Sequence, residues 1–151
     1  LELHGIPAAR PLAWSPTPHA GELTCAFVNG THANPNDLTS LARHLAATHR
    51  AGLGNRDPKM SNFILTENGP VLIDADGVRD RMSRPARDLG RLLAEAQADS
   101  PAEEMLIHTY LGAVSSALPL ESEAQRNYFI GEAQEFANAF RRRLLQGKDN
   151  Q

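Results

Sequence analysis

The chain has 151 residues, 41% of them hydrophobic and 22% charged, which is enough apolar content for one ordinary core. A formal charge of −3 with a pI near 6.1 argues against nucleic-acid binding by the surface as a whole. The single cysteine, Cys25, excludes an internal disulfide, no Cys and His cluster has zinc spacing, and no apolar run approaches membrane-spanning length, so a reducing cytoplasm fits best.

The first residue is Leu1 rather than Met, which predicts a piece of a longer chain. Residues 1–14, LELHGIPAARPLAW, interrupt short apolar pieces with a glycine and two prolines and read as the end of an element, a turn and a strand. Residues 22–28, ELTCAFV, are a β-prone run closed by the turn signal Asn29-Gly30. Asn34-Pro35-Asn36-Asp37 reads as a helix start, with Asn34 as N-cap, Pro35 at the first helical position and Asp37 in the first turn. Leu38, Leu41, Ala42, Leu45 and Ala46 then fall on one face. His44 and His49 share a face less well than an i, i+4 pair would, so both read as structural or solvated. Gly52 and Gly54 lead out of this helix.

Residues 55–77, NRDPKMSNFILTENGPVLIDADG, carry the chemistry. Phosphoryl transfer spreads charge over the transferred oxygens, so a site needs metal ligands, a nearby cation and a group that orients the attacking hydroxyl. Asp57 suits the hydroxyl, Lys59 suits a phosphate as a point charge, and Asn62 and Asp74 offer hard oxygens to Mg²⁺. The runs Phe63-Ile64-Leu65 and Val71-Leu72-Ile73 flank Asn68-Gly69, a strong hairpin signal. A hairpin returns the chain to its start and brings Asn62 and Asp74 together. Asp74 directly follows an apolar strand that fixes its backbone, so it is the expected metal ligand, and Asp76, before Gly77, is secondary.

Asn55-Arg56-Asp57 with Asn62 resembles the kinase catalytic loop H-R-D-L-x-x-x-N, with Asn in place of His, and Asp74-Ala75-Asp76-Gly77 stands where D-F-G would. The form LIDADGVR, followed closely by Arg87-Asp88-Leu89-Gly90-Arg91-Leu92, is similar to bacterial lipopolysaccharide kinases of the Kdo/heptose type. The resemblance implies an α+β, protein-kinase-like fold: residues 1–30 as the end of a small lobe and the hinge, and residues 31–151 as a mostly helical large lobe with a β-hairpin. It implies ATP and Mg²⁺ as cofactors, with adenine bound by main-chain groups near Ala26 to Val28 over a floor that includes Ile64 and Ile73. It gives Asp57 and Lys59 catalytic roles, and it makes Asp88 an acceptor of hydrogen bonds from the loop backbone, a support for the chemistry. The expected acceptor is an anionic or lipid-linked sugar of the lipopolysaccharide inner core, met in the cytoplasm at the inner face of the membrane.

Arg79, Arg81, Arg84 and Arg87 follow at once, and suit either recognition of an anionic acceptor or pairing with nearby Asp and Glu. Asp88 opens a helix with Leu89, Leu92 and Leu93 inward. Ser100-Pro101-Ala102-Glu103 is a capping box that opens a helix to about residue 117, with Met105, Leu106, Tyr110, Leu111 and Val114 inward. The last helix is expected over residues 122–146, striped by Phe129, Phe136, Phe140 and Leu144, ended by Gly147, and with Arg141-Arg142-Arg143 as a charge cluster at its C-terminus or a contact with an anionic membrane surface.

The only lysines are Lys59 and Lys148, and no Gly-rich phosphate loop occurs. The small-lobe phosphate lysine of a kinase is therefore not in this chain. Three readings stay open: a lipopolysaccharide sugar kinase, another kinase-fold phosphotransferase with a small-molecule or protein acceptor, and a non-catalytic pseudokinase.

Overall fold

The Asn34 signal works as its chemistry dictates. The Asn34 side chain accepts the N–H of Asn36 at 3.0 Å and the Asp37 carboxylate accepts the N–H of Asn34 at 2.9 Å, a reciprocal cap over the 3₁₀ turn Pro35–Asp37. The structure, a computed structural model, describes residues 1–16 and 21–148. Along the chain run β1 (Pro11–Pro16), β2 (Gly21–Cys25), β3 (Thr31–His32), α1 (Leu38–Arg50), β4 (Gly54–Asn55), β5 (Phe63–Thr66), β6 (Gly69–Leu72), β7 (Val78–Arg79), α2 (Pro85–Leu93), α3 (Pro101–Val114) and α4 (Glu123–Lys148). Among the described residues this is an α+β fold of four helices and three small antiparallel sheets, ordered β1-β2, β3-β5-β6 and β4-β7.

The core follows from the helical periodicity. α1 buries all five residues of its expected face, Leu38, Leu41, Ala42, Leu45 and Ala46, and packs on α3. α2 buries Leu89, Leu92 and Leu93 and packs on α4. That second seam is close: a Cβ on Gly90 would stand 2.5 Å from the carbonyl oxygen of Ala133 and 2.6 Å from Cβ of Phe136. The N-terminal segment is tied to the sheet by the Ala9 N–H on Leu72 O at 2.8 Å and the Leu72 N–H on Pro7 O at 3.1 Å.

The hairpin forms as β5 and β6, with Phe63 opposite Leu72 and Ile64 opposite Val71. Phe63 and Leu72 are buried on the core side, so Ile64, Val71 and Ile73 share the other face. Its turn sits one residue earlier than the Asn68-Gly69 signal suggests, at Glu67-Asn68. The Thr66 hydroxyl donates to Gly69 O at 2.9 Å and accepts the N–H of Asn68 at 3.2 Å, and Gly69 takes the positive φ of 105° just after the turn.

The helix ends differ from expectation. Ser100 caps α3 by accepting the N–H of Glu103 at 3.2 Å, but the Glu103 carboxylate reaches the N–H of Asp99 instead of Ser100, and the helix stops at Val114. Met105 is 60% exposed because the buried face runs through Leu106, Ile107, Tyr110 and Val114, with Met105 to one side. α4 continues through Gly147 to Lys148, since a lone glycine costs a helix only about 1 kcal/mol and does not by itself stop it. Arg141-Arg142-Arg143 therefore precedes the last turn. Phe129 is buried and Phe136 and Phe140 are half-buried, but Leu144 is exposed because α4 outruns the helix it packs on. Arg141 marks that point: its Nη2 donates to Leu93 O at 2.7 Å and Ala96 O at 3.0 Å, where α2 ends. Among the described residues no helix is long and apolar enough to cross a membrane.

Candidate active site

The loop after β4 has almost no regular structure of its own, so its position comes from neighbours. Asn55 pairs with Val78 in the two-residue β4-β7 ladder, and the Arg56 N–H donates to Gly77 O at 2.9 Å. The Asn55 N–H donates to Asp88 Oδ2 at 2.9 Å, and the Asn55 side-chain oxygen accepts the N–H of Asp57 at 3.1 Å. Gly77 is required by space: a Cβ there would lie 2.8 Å from Asn55 Oδ1 and 2.9 Å from the Asp57 backbone nitrogen.

Asp88 is buried, and a buried carboxylate needs donors. His49 Nε2 supplies one at 3.3 Å, and Tyr110 lies on His49 Nδ1 at 2.5 Å. With Nε2–H donating to the carboxylate, Nδ1 is the acceptor and the Tyr110 hydroxyl the donor. Burial and the charge of Asp88 raise the Tyr110 hydroxyl pKa, so it keeps the proton this chain needs. Both histidines on α1 are structural: His44 donates from Nε2 to Pro7 O at 2.9 Å.

The carboxylate of Asp57 is held on both oxygens. Oδ1 accepts Arg91 Nε at 3.0 Å, and Oδ2 accepts Lys59 Nζ at 2.9 Å and Asn62 Nδ2 at 3.3 Å. Arg91 is itself fixed by Glu95 Oε1 at 2.7 Å. Partial burial raises the Asp57 carboxyl, but the Lys59 hydrogen bond and the charges of Arg91 and Lys59 outweigh it and hold the pKa below the usual carboxylate value. The Asp57 side chain is 36% exposed, so these pairs fix geometry more than they stabilise the fold.

Asn62 Nδ2 also donates to the Asp57 carbonyl at 2.9 Å. With its amide nitrogen turned to Asp57, Asn62 has Oδ1 as its remaining side-chain acceptor. The Ile73 N–H donates to Asn62 O at 2.9 Å, so the hairpin brings Asp74 to the residue beside that bond. Asp74 is exposed, and its Oδ1 accepts the N–H of Asp76 at 3.0 Å, which fixes the carboxylate over the turn. Among the described residues no group of three or more His, Cys, Asp or Glu forms a metal cage. One carboxylate and one amide oxygen fit Mg²⁺, which commonly keeps most of its shell as water and phosphate.

The four residues expected against the nucleotide are spread more widely. An apolar cavity of about 480 Å³ lies between residues 5–11 and the end of β6, and its wall includes Ile6, Cys25, Leu72, Ile73 and Ala75. Of the four it takes only Ile73. Ile64 is buried against the segment that carries Gly30, whose Cβ would stand 2.7 Å from the Ile64 methyl, and the Ala26 N–H donates to Arg10 O at 2.7 Å. Val28 is half-buried, outside the strands.

No protein-family model and no curated protein matches the chain.

Sequence reasoning named Asp57, Lys59, Asn62, Asp74 and the supporting Asp88; the structure gathers Asp57, Lys59 and Asn62 in direct contact and bonds Asp88 to the Asn55 N–H. It missed Arg91 and Glu95, and it missed that His49 and Tyr110 complete the support of Asp88. The signal available for Arg91 was its place three residues after Asp88, on the same helical face.

Proposed function

We propose that this chain carries the catalytic loop of a protein-kinase-like phosphotransferase that moves the γ-phosphoryl group of ATP to a sugar hydroxyl. Residues 1–30 are the end of the small lobe with the hinge, and residues 31–151 the large lobe. The supporting observation is one acid, Asp57, gripped by Lys59, Arg91 and Asn62 in a loop anchored on buried Asp88. Asp57 accepts a hydrogen bond from the acceptor hydroxyl and aims its oxygen at the γ-phosphorus. Because its pKa is held down, Asp57 is a weak base. It takes the proton late, after the new oxygen–phosphorus bond has begun to form and the bond to ADP has begun to break. Lys59 is placed to meet phosphate oxygens while balancing Asp57. Mg²⁺ held by Asn62 Oδ1 and Asp74 would neutralise charge on the phosphates. Ala26, Val28, Ile64 and Ile73 are proposed to meet the nucleotide base, with Ile73 and its apolar cavity best formed for it.

The resemblance to Kdo/heptose kinases makes an anionic or lipid-linked sugar the proposed acceptor, met in the cytoplasm at the membrane's inner face. The test is incubation with MgATP and inner-core sugar acceptors, followed by ³¹P NMR for a new phosphate monoester. Transfer that depends on Asp57 is expected; absence of transfer to every sugar overturns the reading. A binding module without transfer is the second reading, favoured because both oxygens of Asp57 are already engaged by Lys59, Arg91 and Asn62. It predicts ATP binding, by titration calorimetry, without product.

A further inference from the structure

The segment from β7 to the first turn of α2 gathers Arg79, Arg81, Arg84 and Arg87, with Arg56 from the loop, around one cavity of about 440 Å³ whose wall also holds Ser83. Arginines on a surface usually pair with acids or point into solvent. Here none of the five has a carboxylate within 4.0 Å among the described residues, although the chain has 18 acids and a net charge of −3. Asp88 reaches the cavity wall, but it is buried, and its Oδ2 is engaged by Asn55 and His49.

Two of the arginines are pinned from behind. Arg79 Nη1 donates to the carbonyls of Asp76 at 2.7 Å and Val78 at 2.6 Å, and the Arg87 guanidinium lies 5.8 Å from the ring centroid of Phe140. The guanidinium groups of Arg56, Arg81 and Arg84 have no hydrogen-bond or ion-pair partner among the described residues. Like charges gathered on one concave wall repel one another, most strongly where they stand closer than the screening length of about 8 Å in physiological salt. A multivalent oxyanion relieves that repulsion, and planar guanidinium forks match its oxygens two at a time. The volume lies in the range of about 300–1,000 Å³ typical of small-ligand sites, larger than a bare anion requires.

We propose that this cavity is a binding site for an oxyanion, a phosphate or carboxylate, carried on a sugar-sized molecule. Arg56 is adjacent to Asp57 and Arg79 pairs with Gly54 in the β4-β7 ladder, so the ligand seats on the frame of the catalytic loop. That this ligand is the acceptor's own anionic group rests on the phosphotransfer reading; the binding itself does not.

The test titrates the chain, without nucleotide or Mg²⁺, with inorganic phosphate, glucose 6-phosphate and glucuronate, by calorimetry at ionic strength matched with sodium chloride. Saturable binding of at least one probe is expected. It should weaken on the order of tenfold or more, about 1.4 kcal/mol or more, in the Arg81→Gln/Arg84→Gln double variant. An Arg43→Gln/Arg142→Gln control should bind as the parent does. Tighter glucose 6-phosphate than glucuronate assigns a phosphate, and the reverse a carboxylate. No saturable binding by any probe, or equal binding in the cavity variant, overturns the proposal. Because the assay involves no transfer, a failed kinase assay leaves this result standing, and a failed titration leaves the kinase reading standing.

Discussion

Asp88 Oδ2 and the backbone N–H of Asn55 meet at 2.9 Å although 33 residues separate them in sequence, so a helix holds the start of the loop that carries Asp57. β4 and β7 pair over only two residues each, too little to fix the loop alone. Asp88→Ala leaves the Asn55 N–H and His49 Nε2 without an acceptor. The expected loss is about 2–3 kcal/mol of stability, read as a lower urea midpoint, and Asp88→Asn should lose less because it keeps one acceptor oxygen. An unchanged midpoint in Asp88→Ala would show that the loop is held by other means.

Gly77→Ala should displace the loop. The added methyl meets a backbone nitrogen at 2.9 Å, and backbone cannot swing aside as a flexible side chain does. Overpacking of this kind costs about 1–3 kcal/mol. Thermal unfolding gives the cost, and shifts of the Asn55 and Asp57 amide resonances report the displacement. Wild-type positions for both would reject the contact.

Asp57→Asn keeps the size and one acceptor oxygen while removing the base. If the proposed phosphotransfer holds, turnover should fall by a factor on the order of 10² or more, with ATP affinity little changed. The urea midpoint should barely move, because the carboxylate is more than a third exposed. Near-normal turnover would remove Asp57 from the mechanism.

Asp74→Ala should abolish metal-dependent turnover while the fold stays largely intact, and Asp76→Ala should be milder. Asp76 contributes its backbone N–H to orienting Asp74, and that N–H survives the substitution. Mg²⁺ titrations of turnover in the two variants measure the ranking. A greater defect in Asp76→Ala would exchange the two roles.

Stability should fall as the solution is acidified through the histidine range. Burial lowers the His44 pKa, the bond to Pro7 opposes this more weakly, and His44 Nδ1 is buried without a partner. Between the lowered folded value and the ordinary 6.5, the unfolded chain binds more protons than the folded one. Stability is therefore full above 6.5, and it is lost as pH falls through that window at up to about 1.4 kcal/mol per pH unit. Urea unfolding at about pH 7.5 and about pH 5.5 should show a smaller acid loss in His44→Phe than in the parent. Equal losses would place the titration elsewhere.

What the sequence made legible was whatever local chemistry decides. Asn34 and Ser100 cap helices because their side chains satisfy nearby N–H groups, and the runs from Phe63 and from Val71 pair as a hairpin because β-prone residues flank a turn. Asp57, Lys59 and Asn62 were legible as members of one short loop, but that Lys59 and Asn62 bond to Asp57 itself came from the structure. Arg91 was not legible as its partner, since periodicity tells which residues share a face but not what stands across from it. Met105 was misread for a related reason: an apolar residue beside a buried stripe looks like part of it until the neighbouring helix fixes the stripe's edge. The length of α4 depended on Gly147, where a local stop signal met no local need to stop. The cavity arginines were visible in sequence, but whether acids neutralised them was a question only three dimensions could answer.

Asp88 and Arg91 stand one helical turn apart on α2, and between them they hold the first residue of the loop and its acid. α2 in turn rests on α4 at Gly90, close against the Ala133 carbonyl and the Phe136 Cβ, and Arg141 of α4 ties down the carbonyls of Leu93 and Ala96 at its end. Any error in how those two helices register is thus carried to Asn55 and Asp57 together, in the same direction and with no flexible joint to absorb it. The placement of the Asp57 carboxylate is inherited from a seam where a glycine lets two helices meet without a side chain of its own between them.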